Sequence, residues 1–182
     1  TGSLGIPNRT TLWSVRGSPF VFHSSGDNVV LRDSYFSGGA GTALKDGCKG
    51  NIYHQNTFSN AENWVVENNT FENYTNREEF CADDHSEALY LGESTKNWMI
   101  RGNRFNNNGS TGHIFFTWWY CGGSYKASCD HENICVKNNQ FTNVVNIYGT
   151  SIQYRSEFPT SMSVYIDPGQ SNLGGAFPTQ WI

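Results

Sequence analysis

Residues 78–87 read EEFCADDHSE, with five carboxylates and one imidazole in ten positions. Asp83, Asp84, His85 and Glu87 are its densest part. Carboxylates held this close raise one another's pKa, and a carboxyl that titrates nearer neutrality can serve as an acid or a base. The same residues offer hard oxygen ligands, so Asp83, Asp84 and Glu87 are candidates for a Ca2+ site. A solvated acidic loop is the plainer alternative. Upstream, TALKDGCKG brings Lys45 and Asp46 together, with Lys49 close behind. Downstream, GHIFFTWWYCGG carries His113 and then Trp118, Trp119 and Tyr120. Aligning EALYLG with HIFFTW sets His113 opposite Glu87, so His85, Glu87 and His113 would cluster across neighbouring strands. Three consecutive aromatics cannot all point inward from a strand. An exposed indole face stacks on the apolar C–H face of a sugar ring. The competing readings are a surface turn for Lys45 and Asp46, and core packing for Phe115 and one of the tryptophans.

The elements that position these groups must come from 182 residues, the length of one domain or of a piece of a larger chain. The net charge of −4 and pI near 5.7 argue against a general nucleic-acid binder, which would present a basic face. No apolar run approaches the roughly 18 residues of a membrane span. No secretory signal is visible, so one was removed or never present, and the opening TGSLG reads as a processing boundary. Asparagine is abundant, glycine reaches 19 residues and aromatics 15%. No apolar period of 3.6 residues emerges, and strong helix formers are few. Such a composition belongs to an all-β chain rich in turns.

The five cysteines are Cys48, Cys81, Cys121, Cys129 and Cys135. An odd number leaves at least one free or paired to another chain. Cys121 and Cys129 bracket a Gly/Ser-rich loop suited to a local disulfide, and Cys48 with Cys81 is a second candidate pair. Sequons start at Asn8, Asn68, Asn73 and Asn108. Together these features favour a secreted protein.

An internal repeat organises the chain. NVVLRDSYF from Asn28, NWVVENNTF from Asn63, NWMIRGNRF from Asn97 and NICVKNNQF from Asn133 align without gaps. Their first residues stand 35, 34 and 36 positions apart, and Phe36, Phe71, Phe105 and Phe141 keep the same offsets. Val29, Trp64, Trp98 and Ile134 form one apolar column, and Leu31, Val66, Ile100 and Val136 another two residues on. That period of two predicts a strand with both columns facing inward. Arg32, Glu67, Arg101 and Lys137 form an outward charged column. Ser34, Asn69, Asn103 and Asn139 form a turn column, where asparagine tolerates the left-handed conformation of a sharp corner and can hydrogen-bond from one repeat to the next. The phenylalanines then re-enter the core as a stack. The column Val30, Val65, Met99 and Cys135 faces outward yet is apolar. The C-terminal tail, with Phe158, Tyr165, Phe177 and Trp181, is the expected lid, and a missing domain or partner chain is the alternative. Further strands are expected in SPFVFHS, EALYLGE, GHIFFTWW and VNIYGTS.

This NxxIxxNxF pattern resembles the right-handed parallel β-helix proteins of the pectate lyase-like superfamily, over roughly residues 18–155. The resemblance implies an all-β solenoid in one domain spanning 1–182, with a tail from 156 to 182 packed on the outside. Loops are expected to protrude at 45–60, 72–86 and 119–131. Such a fold hosts mostly polysaccharide lyases, hydrolases, epimerases and phage tailspikes, so the implied partner is a polysaccharide or oligosaccharide rather than nucleic acid or membrane. Under the lyase reading, a cation or Ca2+ neutralises the uronate and Lys45 or His85 removes the C5 proton. Asp83, Asp84 and Glu87 then bind the cation or tune the base, and Trp118, Trp119 and Tyr120 grip sugars. Under the hydrolase reading, Asp46, Asp83-Asp84 and Gly112-His113 follow the order of polygalacturonase-type enzymes, although Ile114 follows His113 and no Arg-Ile-Lys is present. A non-catalytic carbohydrate-binding or structural solenoid is the third possibility. A chain of this length is short for these enzymes, which fits a piece of a longer protein.

Overall fold

The computed structural model describes residues 3–17, 21–38, 56–74, 87–92, 94–108, 113–117, 131–142, 152–155, 164–166 and 173–174. Those residues form short strands and no helix. Up to the seventeenth strand every third one joins the same sheet, the eighteenth then pairs with the sixteenth, and all neighbours are parallel. The seven-stranded sheet contains, in order, β1 (Ser3–Gly5), β4 (Val21–Ser24), β7 (Thr57–Phe58), β10 (Leu89–Leu91), β13 (Ile114–Thr117), β16 (Ile152–Arg155) and β18 (Leu173–Gly174). The six-stranded sheet contains β2 (Thr11–Trp13), β5 (Val29–Arg32), β8 (Glu62–Glu67), β11 (Lys96–Arg101), β14 (Glu132–Lys137) and β17 (Val164–Ile166). The five-stranded sheet contains β3 (Arg16–Gly17), β6 (Tyr35–Ser37), β9 (Thr70–Glu72), β12 (Arg104–Asn106) and β15 (Gln140–Thr142).

The repeat is the register of the six-stranded sheet. Val29, Trp64, Trp98 and Ile134 pair across β5, β8, β11 and β14, as do Leu31, Val66, Ile100 and Val136. Both columns are buried. Trp64 and Trp98 stack at 4.9 Å and 6°, with Phe58 edge-on to each. Their indole N–H groups donate to Gly26 O (2.6 Å) and Ala61 O (2.9 Å), so burial strands neither donor. In the five-stranded sheet, Phe36, Phe71, Phe105 and Phe141 form the expected stack, with neighbouring centroids 5.1–5.4 Å apart.

The corner between these two sheets is held by asparagine. Asn103 Oδ1 accepts from the backbone N–H of Asn69 (2.9 Å) and from its Nδ2 (3.1 Å). Asn103 Nδ2 donates to Val66 O (2.8 Å) and Asn139 Oδ1 (3.0 Å). Asn69 and Asn139 donate likewise to Leu31 O and Ile100 O. One expectation shifts by a residue. The left-handed positions at this corner are Asp33, Asn68, Gly102 and Asn138 (φ 50–64°), not the buried column after them. The flanking residue turns left-handed, which leaves each buried asparagine free to serve the backbone of its neighbours.

Asn28, Asn63, Asn97 and Asn133 are also left-handed (φ 53–61°) and form a second ladder on the surface, each Nδ2 donating to the preceding Oδ1 at 2.9–3.2 Å. Asn108, one of the sequon asparagines, is fully buried, and its Nδ2 donates to Phe71 O (2.9 Å).

Pairing extends beyond residues 18–155 at both ends. β1, β2 and β3 add a unit before the first recognised repeat. β17 and β18 extend two sheets, so these parts of the tail do not pack over the outside. The backbone of Tyr165 pairs in register with Cys135, the last of the half-exposed Val30–Val65–Met99–Cys135 column. A strand edge with open N–H and C=O groups takes another strand more readily than a face takes a lid. Phe158, Phe177 and Trp181 lie outside the described residues. The strand expected in VNIYGTS lies outside the described residues, and Ile152–Arg155 just after it is a strand. Within the expected 45–60 loop, Thr57–Phe58 pairs with β4 and β10. The remainder of the three expected loops, apart from residues 56, 59–60, 72–74 and His131, lies outside the described residues.

Candidate functional site

The seven-stranded sheet determines where Glu87 and His113 stand. Leu89 pairs with Ile114, Tyr90 with Phe115 and Leu91 with Phe116. The alignment of EALYLG with HIFFTW is therefore off by one residue, and His113 falls level with Ala88 instead of Glu87. Consistent with this, the Leu89 N–H donates to His113 O at 3.1 Å. A one-residue slip exchanges the faces of every side chain in a strand. Here Leu89, Leu91, Ile114 and Phe116 enter the core, while Tyr90 and Phe115 take the opposite face. Tyr90 and Phe115 meet edge to face at 5.4 Å, and both are buried.

Glu87 lies two residues ahead of β10 and is fully buried. His113 is also fully buried. Its ring lies 5.5 Å from Phe141 and 6.1 Å from Phe105, against the phenylalanine stack. Neither ring nitrogen has a hydrogen-bond partner among the described residues, so His113 and Glu87 do not bond to one another. Burial lowers the His113 pKa from 6.5 to about 4, because the apolar surroundings penalise the imidazolium. The imidazole is neutral at pH 7 and belongs to the interior.

Lys45, Asp46, Asp83, Asp84, His85, Trp118, Trp119 and Tyr120 lie outside the described residues, as do Cys48, Cys81, Cys121 and Cys129. Cys135 carries a free, half-buried thiol. No group of three His, Cys, Asp or Glu side chains among the described residues could hold a metal ion. Glu87 is the one suggested Ca2+ ligand that is described, and a single carboxylate supplies only a fraction of the six to eight oxygens calcium takes. No helix among the described residues is long and apolar enough to cross a membrane.

Two buried or grooved polar features had no counterpart in the sequence reading. Thr95 Oγ1 and His131 Nδ1 meet at 2.5 Å, both buried, with the His131 ring edge-on to Phe116. A polar groove of about 490 Å³ runs along the corner between the six- and five-stranded sheets near β2 and β3. Of its lining, Ser14 and Arg16 precede the recognised repeats, and Asp33, Ser34, Tyr35, Asn68 and Thr70 lie within the first two. No protein-family model matches the chain, and neither the curated proteins nor the solved structures contain a match.

Proposed function

We propose that the three parallel sheets close as a right-handed parallel β-helix, and that the chain is a secreted lyase cleaving a uronate-containing polysaccharide by β-elimination. Right-handed crossover between parallel strands is the overwhelming preference of the chain's chirality. The asparagine ladder and the stacked aromatics support a solenoid in which each repeat rests on its neighbours. A relation to the pectate lyase-like superfamily is part of the same reading.

The observation that carries the function is the order of strands in the seven-stranded sheet, where β7, β10 and β13 are consecutive neighbours. Lys45 and Asp46 belong to the segment that leads into β7. Asp83, Asp84, His85 and Glu87 belong to the segment that leads into β10. Trp118, Trp119 and Tyr120 directly follow β13. Because these strands are parallel, the segments carrying the bases and carboxylates enter the sheet at one edge and the aromatics follow from the other, so in this reading a bound sugar chain runs across the sheet between them. In the reaction, Lys45 or His85 takes the C5 proton of the uronate. The C5–H electron pair becomes the C4–C5 double bond, and the glycosidic oxygen leaves from C4 and is protonated. The carboxylates at 83, 84 and 87 tune the base or hold a cation that neutralises the uronate. His113 is assigned to the core.

The experiment is a panel of acidic glycans assayed for the ultraviolet absorbance of unsaturated uronates, with and without a chelator. Absorbance that rises with the wild type and is lost in Lys45→Met or His85→Gln supports the lyase and names the base. New reducing ends without absorbance would replace it with a hydrolase using Asp46, Asp83 and Asp84. Binding without either product would leave a carbohydrate-binding solenoid.

A further inference from the structure

None of the residues that line the corner groove is among those just discussed. Its walls are two polar columns. Ser14, Asp33 and Asn68 occupy the left-handed corner positions of three successive repeats, with φ of 54°, 50° and 55°. Arg16, Tyr35 and Thr70 are in-register partners on β3, β6 and β9. Their side chains share the outer face of the five-stranded sheet, opposite the phenylalanine stack. No residue of the next repeat lines the groove. There the corner residue is Gly102, and Asn68 Oδ1 lies 2.6 Å from where a Cβ would stand.

Some of these side chains are already committed. Ser34, between the columns, donates from Oγ to Arg32 O and accepts from the Val15 N–H. Tyr35 donates its hydroxyl to Glu72, which holds the phenol in place and raises its pKa. By contrast, no hydrogen bond among the described residues occupies the side chains of Ser14, Arg16 or Thr70. Two hydroxyls and a guanidinium fork therefore face a concave surface with their bonding capacity unspent. One cation and one carboxylate, Arg16 and Asp33, give the groove no net charge among its lining residues.

Beside the groove, Trp13 directly precedes Ser14 and is 63% exposed. It pairs in register with Arg32, whose guanidinium lies 5.9 Å from the indole centroid. β2 is the last strand of its sheet among the described residues, so the indole has no in-register neighbour on its other side.

We infer that this groove is a second glycan-binding site, which holds an extended oligosaccharide along three repeats with about one pyranose unit per repeat. Three properties carry the inference. Adjacent parallel strands stand roughly 4.8 Å apart, close to the advance of one sugar unit in an extended chain. The lining offers hydroxyl, guanidinium and carboxylate groups that match vicinal sugar hydroxyls, and its neutral balance selects for hydroxyl pattern rather than charge. An exposed indole adjoins the groove residue Ser14, where a sugar ring can stack. The ligand class rests on the glycan reading of the preceding section, but the groove does not share residues with the proposed catalytic surface. It would anchor a long chain while another part of that chain is cleaved.

The test is amide chemical-shift mapping on the full 182-residue chain, titrated with cellohexaose and with hexagalacturonate. Shifts at residues 13–16, 33–35 and 68–70 with either sugar are expected. Arg16→Gln combined with Asp33→Asn should weaken that binding about tenfold, the loss of a charge-assisted hydrogen bond. Asparagine keeps the left-handed corner available, so the variant should fold. If it does not, Ser14→Ala with Trp13→Ala replaces it in the same titration. No shift in these segments with either sugar would overturn the proposal. So would shifts confined to the segments flanking the seven-stranded sheet, although those would leave the proposed catalytic surface standing. Groove binding without any unsaturated product would sink the lyase and leave this site intact.

Discussion

Two asparagine ladders run along the molecule with the same side chain and the same spacing. The one at Asn69, Asn103 and Asn139 is buried, and the one at Asn28, Asn63, Asn97 and Asn133 is exposed. In the buried ladder each inner amide serves the backbone of the repeats around it as well as the neighbouring amide. In the exposed ladder the amides are joined by single Nδ2-to-Oδ1 bonds, and water can replace each of them. A polar column is therefore structural where it removes backbone groups from want of a partner, and close to ornamental where solvent would do the same.

The largest expected effect breaks the inner ladder. Asn103→Ala would leave the Asn69 N–H and Val66 O buried without that partner, while Asn139 Oδ1 keeps the Asn103 backbone N–H. At roughly 1–3 kcal/mol for each orphaned group, partly relieved by relaxation, about 4 kcal/mol should be lost. Urea denaturation measures it, and a loss below about 1 kcal/mol would show that the ladder does not hold the corner.

His113 sharpens the comparison, since it is buried without the partners the asparagines have. Its folded pKa of about 4 lies below the ordinary 6.5. Between these values the unfolded chain binds a proton that the folded chain refuses. Stability is thus complete above about pH 6.5, falls as pH drops through the window, and levels off below about pH 4. The difference is on the order of 3 kcal/mol. His113→Phe, compared with the wild type by denaturation at pH 7 and pH 4.5, should remove this part of the slope. An unchanged slope would mean that the imidazole meets a proton acceptor or water in the folded chain.

A smaller effect belongs to the outer ladder. Asn97 is left-handed (φ 57°), so Asn97→Ala should cost about 1 kcal/mol through backbone strain. Asn97→Gly loses the same ladder bond without the strain and should be more stable than the alanine variant. Equal melting shifts for the two would instead credit the bond. Least of all, Glu67→Gln breaks the surface pair with Arg101 (2.6 Å), and at most about 0.5 kcal/mol should follow, vanishing in high salt.

The inward columns, the phenylalanine stack and the inner ladder could all be read before any coordinates, because each has a chemistry that differs from its neighbours. Trp64 beside Trp98, or Asn103 beside Asn139, allows one alignment and no other. The seven-stranded sheet lacked that contrast. Ala88 to Leu91 and Ile114 to Phe116 are apolar at every position, so either register buries apolar groups and the wrong one looked equally good. For the same reason the sequence alone allows Glu87 and His113 as cross-strand partners, and the register of Leu89 on Ile114 does not. The candidate catalytic residues were legible only as types of chemistry, because Lys45, Asp83 and His85 fall outside the repeated columns and no periodicity constrains them.

By itself, then, the sequence determined an all-β chain of stacked repeats, which residues face inward, and which asparagines join one repeat to the next. Periodic burial and side-chain complementarity are local and repeat every 34 to 36 residues, so they leave a mark on the chain. Only the tertiary structure decided the register of β10 on β13, the enclosure of His113 by Phe105 and Phe141, and the meeting of Ser14, Asp33, Arg16 and Tyr35 along one groove. Those depend on how the repeats settle against one another in space, and a one-residue shift that changes no composition is enough to alter all three.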